Sequence, residues 1–276
     1  MRTTGNLTLN IRGYLYDLDV PKVMGILNVT PDSFFSESRQ ETDFDIHNRI
    51  VRMIEQGVDI IDIGGCSTRP GYVPPSLEEE WERVESACRI VKNLAPEMPI
   101  SIDTFRAVIA LEAIEKFQAD IINDVSGGKD PEMFKVVASK KVIYVLTHNP
   151  ESPIQIDATA ETITWLAKKV NELHSLGLND IIIDPGFGFG KTIEENFRIF
   201  SELETFSEMN LPLLVGISRK SMIYKTLGIT PEESLTGTIA LDAIALEKGA
   251  QILRVHDVKE AVETIRLFSL LKKNHL

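Results

Sequence analysis

Short apolar runs rich in β-branched residues recur along the chain. Each is closed by a polar or glycine-rich stretch and followed by a segment of helical periodicity. The runs are KVMGILNV (22–29), DIIDIGG (59–65), PISID (99–103), DIIND (120–124), VIYVL (142–146), DIIID (180–184), LPLLVGIS (211–218) and QILRV (251–255). Helix-like patterning fills roughly 44–56, 77–94, 105–117, 131–139, 159–176, 193–207, 233–248 and 257–272, and a shorter helix is expected from about Arg219. Strands that are apolar on both faces belong to a parallel sheet covered on both sides. Eight such units predict a single (β/α)8 TIM barrel over 1–276, with a doubly wound open sheet as the alternative. Residues 5–16 alternate around Arg12-Gly13, which predicts a short N-terminal β-hairpin placed to close the bottom of the barrel.

Composition narrows the function classes. The chain has 276 residues, 43% hydrophobic and 25% charged, as in ordinary globular proteins. Its formal charge of −12 and the lack of a long Lys/Arg run argue against nucleic acid as a partner. A local anion site remains open, since it needs only a few placed donors. The first residues contain no apolar signal core, and no stretch suits a bilayer, so no membrane partner is expected. Two cysteines, Cys66 and Cys88, without metal-like spacing, fit a reducing, cytoplasmic setting.

In a barrel of this type the chemistry collects at the C-terminal ends of the strands. There the chain offers Asn28, Gly64-Gly65, Asp103, Asn123, His148, Asp184, Ser218-Arg219-Lys220, Arg254 and His256. A lone aspartate at such a point could simply cap the following helix. Asp103 and Asp184 with Asn123 at an intervening strand instead suit a flat ligand rich in N–H donors. Lys220 lies just beyond the seventh run, and Arg254 and His256 stand at the end of the eighth, where this fold commonly binds phosphate. Pairing of Arg219 or Arg254 with neighbouring acids is the alternative, and Asp257 could cap the last helix.

Two long connections, 28–40 and 64–75, have the composition of covering loops, and the second carries Arg69 between Thr68 and Pro70. In GFGFGK the glycines allow close backbone approach, and Phe187 and Phe189 could wall an aromatic substrate. The spacing matches neither a dinucleotide fingerprint nor a P-loop.

The stretches MGILNVTPDSF, DIGGCSTRPG, SIDT, INDVSGG, IDPGFGFGK, GISRKSMI and RVHDV occur in one order over roughly 22–258, and with them the chain resembles the dihydropteroate synthase family. The resemblance implies a homodimeric transferase that condenses 6-hydroxymethyl-7,8-dihydropterin diphosphate with 4-aminobenzoate, releasing pyrophosphate. It implies Mg²⁺ as cofactor, held by Asn28, and competition by sulfonamides. It implies that Asp103, Asn123, Asp184 and Lys220 hold the pterin. Asn28, Arg69, Arg254 and His256 would hold the diphosphate. Thr68, Arg69, Pro70, Phe189, Lys220 and Ser221 would line the aminobenzoate pocket. Lys220, Asp103, Arg254 and His256 would be the catalytic set. Two positions depart from the family's pattern. Ser36 and Glu37 stand where the first loop usually has an acid, and Thr147 stands where a methionine is usual.

Overall fold

The computed structural model describes residues 7–30, 39–66, 73–154 and 157–273. Eight parallel strands form the barrel: β3 (Lys22–Asn28), β4 (Ile60–Gly64), β5 (Ile100–Asp103), β6 (Ile121–Asp124), β7 (Ile143–Thr147), β8 (Ile181–Asp184), β9 (Leu214–Val215) and β10 (Ile252–Val255). They pair in the order β8-β7-β6-β5-β4-β3-β10-β9. The helices between them are α1 (Arg39–Glu55), α2 (Leu77–Leu94), α3 (Ala107–Phe117), α4 (Met133–Lys140), α5 (Ala158–Ser175), α6 (Ile193–Ser201), α7 (Ser221–Leu227) and α8 (Leu235–Glu247); α9 (Val258–Lys273) follows β10. The expected (β/α)8 barrel is therefore the observed fold.

Local chemistry explains many of the boundaries. Ser76 with Glu79 and Thr192 with Glu195 form capping boxes that start α2 and α6. The expected helix over 193–207 divides at Glu202, and Leu203–Met209 winds as a 3-10 helix. There the hydroxyls of Thr205 and Ser207 donate to the carbonyls three residues back, which favours the tighter winding.

The run at 211–218 departs most from expectation, since only Leu214–Val215 pairs as a strand. Pro212 has no N–H to give the ladder, and the Leu213 N–H goes to the Gln251 side chain. The ring closes between β8 and β9 through a parallel bridge, Ile183 to Leu213, with the Ile183 N–H donating to the Pro212 carbonyl.

The hairpin forms from β1 (Thr8–Ile11) and β2 (Tyr14–Asp17). Arg12 and Gly13 both have positive φ, 52° and 86°, as a type I′ turn requires. Arg12 donates from Nε and Nη2 to the two carboxylate oxygens of Asp120, each at 2.8 Å, and the Asn10 N–H donates to Asp180 at 2.9 Å. Asp120 and Asp180 immediately precede β6 and β8, so the hairpin covers the N-terminal end of the barrel. Leu9 and Leu18 complete an interior cluster with Met24, Ile60, Ile121, Ile143, Ile182, Leu214 and Ile252.

Candidate active site

Strand alternation decides which side chains enter the barrel. Ile60, Ile121, Ile182 and Ile252 belong to the apolar interior cluster. Two residues further along the same strands stand Asp62, Asn123, Asp184 and Arg254. On β5 the equivalent pair is Ser101 and Asp103. On β4, β6, β8 and β10 the inward face is thus apolar at the bottom and polar or charged at the top.

The charges are tightly paired. Arg254 donates from Nε to Asp62 Oδ2 at 2.7 Å and from Nη2 to Asp103 Oδ2 at 2.5 Å. Asp62 also accepts from Ser101 Oγ at 2.6 Å and from Asn123 Nδ2 at 3.1 Å. Burial, opposed by Arg254 and reinforced by Asp62, pushes the Asp103 carboxyl above the usual carboxylate range. Asp62, fully buried in the middle of its strand, is the principal residue that sequence reasoning missed. A carboxylate inside an otherwise apolar run was the available signal, because burying it needs partners.

The orientation of Asn123 follows from this network. Its Nδ2 is taken by Asp62, and its buried Oδ1 has no hydrogen-bond partner among the described residues. A buried acceptor without a donor is costly, and this oxygen is free to accept from a further group. The next residue, Asp124, is used structurally and accepts from the Tyr144 hydroxyl at 2.8 Å and the Gly128 N–H at 3.0 Å.

Asp184 accepts from the Gly186 N–H at 2.8 Å, and the Thr147 hydroxyl lies 3.4 Å from its other oxygen. Burial raises its pKa, while Lys220 and the Gly186 N–H oppose the rise. Gly186 has φ of 71°, and a Cβ there would lie 2.0 Å from the His148 carbonyl oxygen, so no side chain fits. Phe187 and Phe189 part company beyond it. Phe187 is fully buried against Phe200, with ring centres 5.8 Å apart, and Phe189 is only partly buried. The expectation that both rings wall a ligand therefore narrows to Phe189.

Lys220 lies with its amine 4.6 Å from the centre of the Phe189 ring and donates to the Phe187 carbonyl. Burial lowers its pKa to about 8. Ser221 begins α7 directly after it. Lys191, which sequence reasoning gave no role, donates to the carbonyls of His148, Gly186 and Phe189 at 2.9, 3.0 and 3.2 Å. It clips the turns after β7 and β8 together, and burial lowers its pKa to about 7.

His148 turns aside. Its Nδ1 lies 3.0 Å from Thr162 Oγ1, its ring meets Trp165 edge-on, and burial lowers its pKa to about 3. Arg219 is likewise taken up by an acid, donating to both oxygens of Asp257 at 2.9 and 2.7 Å. His256 stays near the site, with Nδ1 3.0 Å from Ser218 Oγ. Asn28 ends β3, and its Oδ1 lies 3.3 Å from where a Cβ on Gly64 would sit, with Asp103 Oδ2 at 3.7 Å from the same point. Thr68, Arg69 and Pro70, with Ser36 and Glu37, lie outside the described residues.

The family model for pterin binding enzymes matches residues 24–256. The dihydropteroate synthase of Escherichia coli (strain K12) is 40% identical over 272 residues, covering 95% of each chain. The chain belongs to the dihydropteroate synthase family. Solved synthases agree with its shape. That of Xanthomonas albilineans, determined with 4-aminobenzoic acid, has a TM-score of 0.91 at 36% identity, covering 97% of this chain and 99% of that one. That of Yersinia pestis, in a sulfonamide drug complex, has a TM-score of 0.87 at 34% identity, covering 97% and 100%. The synthase is thus a transferase of folate biosynthesis. No helix among its described residues is long and apolar enough to cross a membrane.

Proposed function

We propose that this site condenses 6-hydroxymethyl-7,8-dihydropterin diphosphate with 4-aminobenzoate to give 7,8-dihydropteroate and pyrophosphate, with Asp103, Asn123, Asp184 and Lys220 holding the pterin. The observation that carries the residue assignment is the buried, unpartnered Asn123 Oδ1 on the same inner face as two buried carboxylates. An amino-pyrimidine edge offers parallel N–H donors that a carboxylate accepts in pairs. Phe189 and Lys220 then form one wall for 4-aminobenzoate, beside Ser221, with Thr68, Arg69 and Pro70 contributed by the β4–α2 connection.

Arg254, His256, Asn28 and Arg69 would take the diphosphate. Arg254 serves two acids already, yet its Nη1 has no hydrogen bond to a described residue. Asn28 presents a hard oxygen beside Asp103 at the mouth. One amide oxygen plus substrate phosphates suits Mg²⁺, which commonly takes few protein ligands. Mg²⁺, when bound, supplies positive charge to the diphosphate oxygens.

The reaction proceeds by positioning and electrostatics. The bond from the pterin methylene carbon to the diphosphate oxygen breaks with its electron pair leaving on pyrophosphate. Arg254 and His256 donate to that developing negative charge. Positive charge spreads into the pterin ring, where Asp103 and Asp184 favour it. The amine nitrogen of 4-aminobenzoate attacks the methylene carbon, and its proton passes to the released pyrophosphate or to water. No protein nucleophile is needed.

Two further readings complete the proposal. Leu267, Leu270 and Leu271 are 67%, 57% and 63% exposed on one stripe of α9. Ile244 on the neighbouring α8 is also exposed, so this face supports a homodimer. A sulfonamide, which resembles 4-aminobenzoate, would compete at the Phe189–Lys220 wall.

The test is incubation of the pure protein with both substrates and Mg²⁺, reading dihydropteroate and pyrophosphate together. Equal amounts of both, lost on chelation, are expected. Pterin binding without either product would overturn the catalytic reading.

A further inference from the structure

Ser218 precedes the Arg219-Lys220 turn, and His256 follows β10; the two meet beneath the proposed diphosphate position. Ser218 is 4% exposed. Two atoms of His256 converge on its hydroxyl. The backbone N–H donates to Oγ at 3.2 Å, and the ring Nδ1 lies 3.0 Å away.

Hydrogen-bond accounting decides the direction of the second contact. A serine hydroxyl has one proton to give and two lone pairs. The backbone N–H is necessarily a donor, so it occupies a lone pair. If Nδ1 also carried a proton, Oγ would accept twice and its own proton would need another acceptor. No other hydrogen bond of Oγ joins it to a described residue. A buried hydroxyl that cannot donate is costly. The balanced arrangement has the hydroxyl donating to a bare Nδ1, which leaves the ring proton on Nε2.

The surroundings keep the ring neutral. Burial first, then the Arg254 charge, lowers its pKa to about 4. Arg219 and Arg49 add to the positive field, and Asp257 alone opposes it. Asp257 is occupied by Arg219, and Arg49 donates to the His256 carbonyl at 2.5 Å, pinning the backbone on its far side.

We propose that Ser218 fixes His256 in the Nε2–H tautomer, so that the ring meets the departing diphosphate as a neutral N–H donor. This rests on the reading that His256 faces the diphosphate. The opposite tautomer would aim a lone pair at anionic oxygens and remove the donor. Ser218 is thus a positioning residue that acts through His256.

The test is long-range ¹H–¹⁵N spectroscopy of the imidazoles in the full-length protein, between about pH 6 and 8, without and then with pyrophosphate. The chain has 5 histidines, and the His256 signals are assigned by their loss in His256→Gln. The wild type is expected to show a bare Nδ1 and a protonated Nε2, and pyrophosphate should shift the Nε2–H signal. Ser218→Ala should mix the tautomers and lower kcat about tenfold, equivalent to about 1.4 kcal/mol in the activation barrier, with the KM for 4-aminobenzoate unchanged. Ser218→Thr, which keeps the hydroxyl, should restore both readouts. A protonated Nδ1 in the wild type, or an unchanged tautomer in Ser218→Ala, overturns the proposal without touching the condensation reading. The expected tautomer with no response to pyrophosphate removes the diphosphate assignment of His256, and the proposed use of the tautomer falls with it.

Discussion

The two ends of the barrel interior are built on the same strands and the same inward face, yet they do opposite work. At the N-terminal end Met24, Ile60, Ile121, Ile143, Ile182 and Ile252 pack with Leu9 and Leu18. Toward the C-terminal end Asp62, Asp103, Asn123 and Asp184 are buried beside the largely buried Arg254. Burying charge opposes folding unless each group finds partners. The lower layer therefore supplies cohesion, and the upper layer holds charges that are paired with one another, with Asn123 Oδ1 left without a partner among the described residues.

The largest test of that contrast is Asp184→Asn. It should weaken pterin binding by roughly 100-fold or more, because a charge-assisted contact contributes about 1.5–3 kcal/mol per hydrogen bond. Calorimetric titration would read the affinity, and the melting temperature should hold or rise. Equal loss of binding and folding would break the division between the layers.

The converse is Leu9→Ala in the lower layer. Chemical denaturation should show a loss of about 2–5 kcal/mol, with kcat/KM for the remaining folded enzyme near wild type. A selective loss of turnover would show that the hairpin reaches the mouth.

Asp242 on α8 separates burial from function. It is 2% exposed, its Oδ1 has no hydrogen-bond partner among the described residues, and burial raises it from 3.8 to about 8. A carboxyl raised in the folded state stays protonated there while the unfolded chain ionises. Its stabilising contribution is complete below about pH 4 and declines as pH rises toward 8, by at most about 1.4 kcal/mol per unit. Asp242→Asn should flatten that decline in melting curves taken across the window and leave turnover unchanged. An unaltered pH slope would show that Asp242 is not the group responsible.

The smallest effect is expected from Thr147→Val. Its hydroxyl lies 3.4 Å from Asp184, a long contact. Pterin affinity should change by less than about 1 kcal/mol, read in the same titration. A larger loss would place the hydroxyl among the pterin contacts proper.

Much of this was legible in the chain, for local physical reasons. Eight apolar runs with helical intervals specify a covered parallel sheet, and Arg12-Gly13 specifies its own turn. Asp103 and Asp184 could be picked out because they end their runs, Asn123 because it stands one residue before the end of its own, and the family motifs extended that reading to a named reaction. Position alone could not settle how Arg254 is spent, because its acids lie 192 and 151 residues away in sequence. It could not separate Phe187 from Phe189, since left-handed glycine turns break the alternation that would place them together. Nor could it find Asp62, Lys191 or the Ser218–His256 contact, because strand interiors and loop clips look alike until the barrel closes.

The sequence by itself therefore determined the periodicity, the turns and the identity of the groups at the strand ends, all of which are set by neighbours a few residues apart. Only the tertiary structure decided which charges share a partner, which nitrogen of His256 meets Ser218, and which carboxyls burial pushes up. Those outcomes depend on burial and on distances of a few ångströms between residues from different strands, and such distances exist only once the ring is formed.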